Sequence, residues 1–186
     1  MLKSLILMIR IFVPAGMFLV SSLAIAQAPA AAATKQTEGE KLAAIAERYF
    51  QDGLELNPLF ASQITADPKY EGELEIDIAP VYRVKVRTLL QRVQREQAAL
   101  NVKLLSPADQ LTFSLLEEEV KRRLEGMRFP GDLLPINQYG GMPVQIAQFG
   151  SGQDIQPLKT VQNFRNYLKR LEKITEWNEQ AITNMR

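Results

Sequence analysis

The chain has 186 residues, with 22 basic and 21 acidic side chains, 46% hydrophobic residues, no histidine and no cysteine. That inventory excludes disulfides and a zinc site assembled within this chain, because protein zinc is held overwhelmingly by imidazole and thiolate, with carboxylates completing the set. Charges that balance and alternate in sign also exclude the basic patch with which a nucleic-acid partner's counterions are displaced.

At the N-terminus, Lys3 and Arg10 precede an uncharged stretch from Ile11 to Leu23. Ala24-Ile25-Ala26 then places small residues at the two positions a signal peptidase reads. This is the plan of a secretory signal peptide over residues 1–26, with cleavage after Ala26 and a periplasmic or secreted product. The alternative is an uncleaved anchor of 19 residues from Leu5 to Leu23, but Arg10 interrupts it and Pro14 and Gly16 weaken a continuous helix. The membrane is then met only in transit, and no cysteine is present to carry a lipid. Loss of Lys3 and Arg10 leaves 20 basic against 21 acidic residues in a product of 160 residues. Such a length sustains one core, burying roughly 68–70% of its unfolded surface.

Residues 27–37 contain no large apolar side chain and read as a flexible leader. Thr37, three residues before Glu40, has the spacing of a capping box. Leu42, Ile45, Ala46, Tyr49 and Phe50 then recur at helical intervals, with Gly53 loosening the helix end. Asn57-Pro58 supplies an N-cap and a first-turn proline for a short helix through Ile64, followed by a loop from Thr65 to Ala79. Pro80 opens a long helix whose seam is Tyr82, Val86, Leu89, Val93 and Leu100. Ser106-Pro107 opens its partner, with Leu111, Phe113, Leu116, Val120 and Leu124 along one side. A connection of about five residues makes such helices antiparallel neighbours, an αα-hairpin. The expected fold class is therefore all-α, with residues 38–186 forming one helical region.

The run Glu117-Glu118-Glu119-Val120-Lys121-Arg122-Arg123 invites a metal-binding reading, but adjacent glutamates point about 100° apart on a helix. Pairing each acid with the base four residues on describes a solvated face, worth about 0.2–0.5 kcal/mol per pair.

Residues 130–157 hold four prolines and five glycines in 28 positions, far above the usual frequencies of roughly 5% and 7%. A turn or two of helix is expected from Pro143 to Phe149, closed by Gly150. The remaining side-chain amides and hydroxyl, Asn137, Gln138, Gln148, Ser151 and Gln153, suit recognition of a peptide-like or other polar ligand. Equally, they could serve only to satisfy the backbone of a buried connection. Gly150-Ser151-Gly152 is not a nucleophile elbow, which needs G-x-S-x-G and a histidine base, nor a phosphate loop, since no Lys-Ser or Lys-Thr follows at the required spacing. Thr160 caps a last helix whose expected seam is Val161, Phe164, Leu168, Leu171, Ile174, Trp177, Ala181 and Met185. The periodicity reaches Arg186 without a terminator, as expected of a truncated chain that continues in its parent.

Phe129-Pro130, Leu133-Leu134-Pro135-Ile136-Asn137-Gln138, Gly140-Gly141, Gln148-Phe149-Gly150-Ser151-Gly152, Gln156-Pro157 and Lys159-Thr160 together resemble the signature of domain-of-unknown-function family 885. Tyr167-Leu168-Lys169-Arg170-Leu171 and Ala181-Ile182-Thr183-Asn184-Met185-Arg186 extend the likeness. Asn57-Pro58, Asp67 and Tyr70 resemble the family's N-terminal region more loosely. One departure is Thr65-Ala66-Asp67, where the family tends to place a glycine before the acid. The resemblance implies an exported, largely helical protein about three times this length, similar to zinc carboxypeptidase-like hydrolases. Its zinc would be held by His-Glu-x-x-His and a further acid in the later part. None of those residues is in this chain, so no catalytic or metal role carries over. What it would contribute is a non-catalytic helical wall and the Gly/Pro-rich loop, with the missing C-terminal region as its partner. The rival expectation is a self-contained helical binding or scaffold module outside the inner membrane. A fragment should leave the seam around Leu168, Leu171 and Trp177 uncovered, whereas a complete module should bury Trp177.

Overall fold

The structure is a computed structural model that describes residues 36–137, 141–152 and 156–186, within one compact unit beginning at Gln36. The expected signal peptide, nearly all of the leader, Gln138 and Gln153 lie outside the described residues. Among the described residues the regular structure is all-α: α1 (Glu38–Leu56), α2 (Pro58–Thr65), α3 (Pro80–Ala98), α4 (Pro107–Gly126), α5 (Met142–Phe149) and α6 (Val161–Asn184). Short 3-10 turns stand at Pro68–Tyr70, Val102–Leu104 and Gly131–Leu133.

Local chemistry accounts for the helix starts. The Thr37 backbone N–H donates to Glu40 Oε2 at 2.7 Å, and the Glu40 N–H donates to Thr37 Oγ1 at 3.2 Å, closing the capping box. Asn57 caps α2 and Ser106 caps α4, each ahead of a first-turn proline. Thr160 and Asn163 form a second reciprocal box at the start of α6. Gly53, expected to loosen the helix end, lies in the last turn of α1. The helix continues to Leu56 because the Asn57 N–H closes the last turn on the carbonyls of Gly53 and Leu54, at 3.0 and 3.2 Å.

Helices α1, α3 and α4 share the larger core. Leu42 and Ile45 of α1 meet Val86, Leu89, Leu90 and Val93 of α3, and Leu116 and Val120 of α4 complete the cluster. Each such buried side chain contributes roughly 1.5–3 kcal/mol relative to exposure. Gln97 at the end of α3 donates to the Phe113 carbonyl near the start of α4 (3.2 Å), while Arg83 near the start of α3 donates to the Met127 carbonyl just past α4 (2.8 Å). The two helices therefore run in opposite senses. Arg48 with Glu96 (3.1 Å) and Asp52 with Arg92 (2.6 Å) order α1 against α3 in the same way.

A smaller core forms where α6 lies on the segment after α2: Leu74, Ile78, Met142, Trp177 and Ala181. That segment is an active scaffold as well as a loop, burying Tyr70, Leu74, Ile78 and Ala79. Trp177 does not lie on an uncovered seam, as the fragment expectation had it. It is 3% exposed, and its indole N–H donates to Asp77 Oδ1 at 2.8 Å.

The N-terminal half of α6 also departs from its expected seam. Val161, Phe164 and Leu168 are exposed, and the inward positions are polar: Asn163, Asn166 and Arg170. Both asparagine side-chain amides donate to Glu71 Oε2 at 2.9 Å. Arg170 is fully buried, donating to the carbonyls of Glu73 (3.0 Å) and Tyr70 (2.7 Å), to Ser62 Oγ (2.9 Å) and to Gln156 Oε1 (2.7 Å). Polar partners on the 66–79 segment thus turn this face inward, and the apolar stripe is left outside. Burial pushes the guanidinium down to about 10, against the opposing pull of Glu71 and Glu73.

Candidate functional site

Two clefts that share Tyr82 and Arg123 lie along the α1–α3–α4 core. The first, about 360 Å³, is bounded by the start of α3, the end of α4 and the Phe129–Asp132 segment. The second, about 380 Å³, is bounded by the last turns of α1, the start of α2, and the same Tyr82 and Arg123. Volumes of this order fall in the range of small-ligand pockets, roughly 300–1,000 Å³.

Their electrostatics differ. Asp77, Arg83 and Asp132 line the first cleft. Arg83 pairs with Asp132, and Asp77 accepts from Trp177. In the second cleft Arg123 is the charged residue of a mainly aromatic and aliphatic wall that includes Tyr49, Phe50, Phe60 and Leu89, with the Asn57 amide beside them. The Arg123 Nη1 donates to the Tyr49 hydroxyl at 2.7 Å, and its guanidinium stands 6.0 Å from the Tyr49 ring centroid. Among the described residues no carboxylate lies within 4.0 Å of Arg123, the limit for an ion pair. Tyr82 is half-buried, and burial, reinforced by Asp77, raises its phenol above the ordinary value near 10. It is a neutral hydroxyl at physiological pH.

Arg123 escaped the sequence reading because it belongs to the charged run. In the structure Arg122 pairs with Glu119, and Arg123 turns inward. The signal was present in the spacing: Phe113, Leu116, Val120, Arg123 and Met127 follow steps of three, four, three and four, which places Arg123 on the apolar seam of α4.

The loop residues are distributed differently. Gln148 is exposed on the last turn of α5, and Ser151 is exposed just beyond, its N–H bonded to the Gln148 carbonyl at 3.0 Å. Asn137 is exposed in the segment leading to α5. The preceding Pro135 carbonyl and Ile136 Cα pass 3.7 and 3.8 Å from where a Cβ on Gly141 would stand, at the opposite end of α5. Eight helical residues put those ends about 12 Å apart. Gln148 and Ser151 are thus brought together, and neither they nor Asn137 line the two clefts. Gly150 holds right-handed φ (−61°) at the end of α5, and the left-handed position is Gly152, at φ 69°. Gly150 leaves room of a different kind: a Cβ there would stand 2.7 Å from the Tyr167 hydroxyl and displace it, and that hydroxyl donates to the Ile146 carbonyl at 3.0 Å.

No protein-family model matches the chain, and no curated protein or solved structure is similar to it. The donor set present does not fit zinc: imidazole and thiolate are absent from the sequence, and among the described residues no three carboxylates converge.

Proposed function

We propose that this chain is the N-terminal, non-catalytic part of an exported protein of domain-of-unknown-function family 885. It supplies a helical hairpin wall and a loop to the substrate cleft of a zinc carboxypeptidase-like hydrolase. The metal-binding histidines and the zinc belong to the C-terminal region of that parent. Asn137, Gln138, Gln148, Ser151 and Gln153 contact a peptide-like substrate there, and the signal peptide 1–26 delivers the protein to the periplasm or the exterior.

The observation that carries this reading is the apolar surface beside that loop. Phe129 and Leu134 are 72% exposed, Val161 69% and Leu168 58%. Isolated exposed apolar residues are ordinary, whereas several on α6 and on the segment before α5 are what a covering region would bury. A second reading, the self-contained binding or scaffold module, is favoured by the burial and hydrogen bonding of Trp177.

Sequencing the DNA downstream of Arg186 separates them. A continuing frame with His-Glu-x-x-His is the expected result; an immediate stop, with a purified 27–186 product that unfolds cooperatively as a monomer, overturns it in favour of the module. In the complete parent, Gln138→Ala with Gln148→Ala should impair substrate binding without loss of fold, and unchanged kinetics would remove the loop from the substrate cleft.

A further inference from the structure

We propose that the cleft between the last turns of α1, the start of α2 and the Arg123 face of α4 binds a small monocarboxylate with an apolar body. The carboxylate sits on Arg123 and the body lies among Phe50, Phe60 and Leu89. This site is separate from the loop assigned above and does not depend on the identity of the parent.

Three observations converge. First, Arg123 is held, not free to wander: its bond to the Tyr49 hydroxyl and its placement over the Tyr49 ring fix the guanidinium at the cleft, with no described carboxylate within 4.0 Å. A hydroxyl that accepts from arginine keeps its own proton to donate, so Arg123 and Tyr49 present two donors to one anion. Second, the remaining lining is apolar or aromatic apart from Asn57 and Tyr82, and Phe50 and Phe60 are 46% and 47% exposed at its edge. A lone cation in such a wall selects a molecule with one anionic end and an apolar remainder. Third, the direction of the ligand is set by charge. Beyond Arg123 and Tyr82 the adjoining cleft adds Asp77 and the Arg83–Asp132 ion pair, charged groups that disfavour an apolar body, so the body extends toward α1 and α2.

Gly53 makes the site testable by filling it. It lines the cleft, and a Cβ added there meets nothing within 4 Å. A larger residue therefore enters the open space while replacing a glycine in a helix, a change that favours folding.

Isothermal titration of the purified chain with n-decanoate and with 4-phenylbutyrate, each below its aggregation concentration, tests the assignment. Saturable binding of either acid at one site is expected, the stronger of the two showing whether the body is alkyl or aryl. Decanol should bind about tenfold or more weakly than decanoate, and Arg123→Gln should cost decanoate a similar factor. Gly53→Leu should raise the melting temperature and abolish binding. Retained binding in Gly53→Leu, equal affinity for decanol and decanoate, or no saturable binding of either acid to the wild-type chain each overturns the proposal. Because Gly53→Leu is expected to fold at least as well as wild type, its result stands even if Arg123→Gln is unstable.

Discussion

Arg170 shows what a single buried cation costs and contributes. Among the described residues its guanidinium has no direct carboxylate partner; four neutral oxygens, from Glu73, Tyr70, Ser62 and Gln156, accept its hydrogens. Neutral acceptors compensate desolvation only partly, which is why burial lowers its proton affinity. Arg170→Met removes the charge but leaves those oxygens buried, so urea denaturation should show a loss of about 3 kcal/mol. Arg170→Lys should recover little, since an ammonium cannot reach four acceptors spread around a planar fork. Tyr82 makes a pH prediction. Its folded phenol titrates above the unfolded value near 10, so the folded form holds the proton longer. The stability this contributes is present below pH 10 and is lost as pH rises through the folded value. In Tyr82→Phe the fall in melting temperature above pH 10 should be shallower than in wild type.

Among the elements, the turn after α2 carries visible backbone strain. Ala66 holds φ 51° and ψ 24°, and is the one non-glycine residue with positive φ among those described. A left-handed alanine costs roughly 1–2 kcal/mol, offset in part by the extra freedom glycine has when unfolded. Ala66→Gly should therefore stabilise the protein by about 0.5–1 kcal/mol, measured as a rise in denaturation midpoint; a decrease would show the strain is absent. The helices themselves were legible in the sequence because their information is local: Thr37 with Glu40, Asn57-Pro58, Ser106-Pro107 and Thr160 mark starts that short-range hydrogen bonds enforce. The inward face of α6 was not. Apolar spacing points to Val161, Phe164 and Leu168, and only the distant partners Glu71, Tyr70 and Glu73 make Asn163, Asn166 and Arg170 the buried set. The candidate site was half legible. Tyr49, Phe50 and Tyr82 stood on predicted seams, while Arg123 was concealed by the charges beside it in the chain.

At the scale of residues 36–186, the two larger apolar clusters are distinct, beside a small third one of Leu54, Ala61 and Tyr70. One belongs to α1, α3 and α4, the other to α6, α5 and the segment around Leu74 and Ile78. Trp177 anchors the second. Trp177→Ala should cost about 3–5 kcal/mol, and hydrogen exchange should show where. Amides of α5 and α6 are expected to lose protection while those of α3 and α4 retain most of theirs; a uniform loss would mean that the clusters unfold as one.

The polar underside of α6 has one more consequence. Apolar contacts tolerate sliding, because one methyl group replaces another at little cost, but a helix tethered through directed bonds to Glu71, Tyr70, Glu73 and Ser62 has a single vertical position and a single rotation. Val161, Phe164 and Leu168, outward on the same turns, are therefore presented at fixed height and bearing, like teeth on a gear that cannot turn.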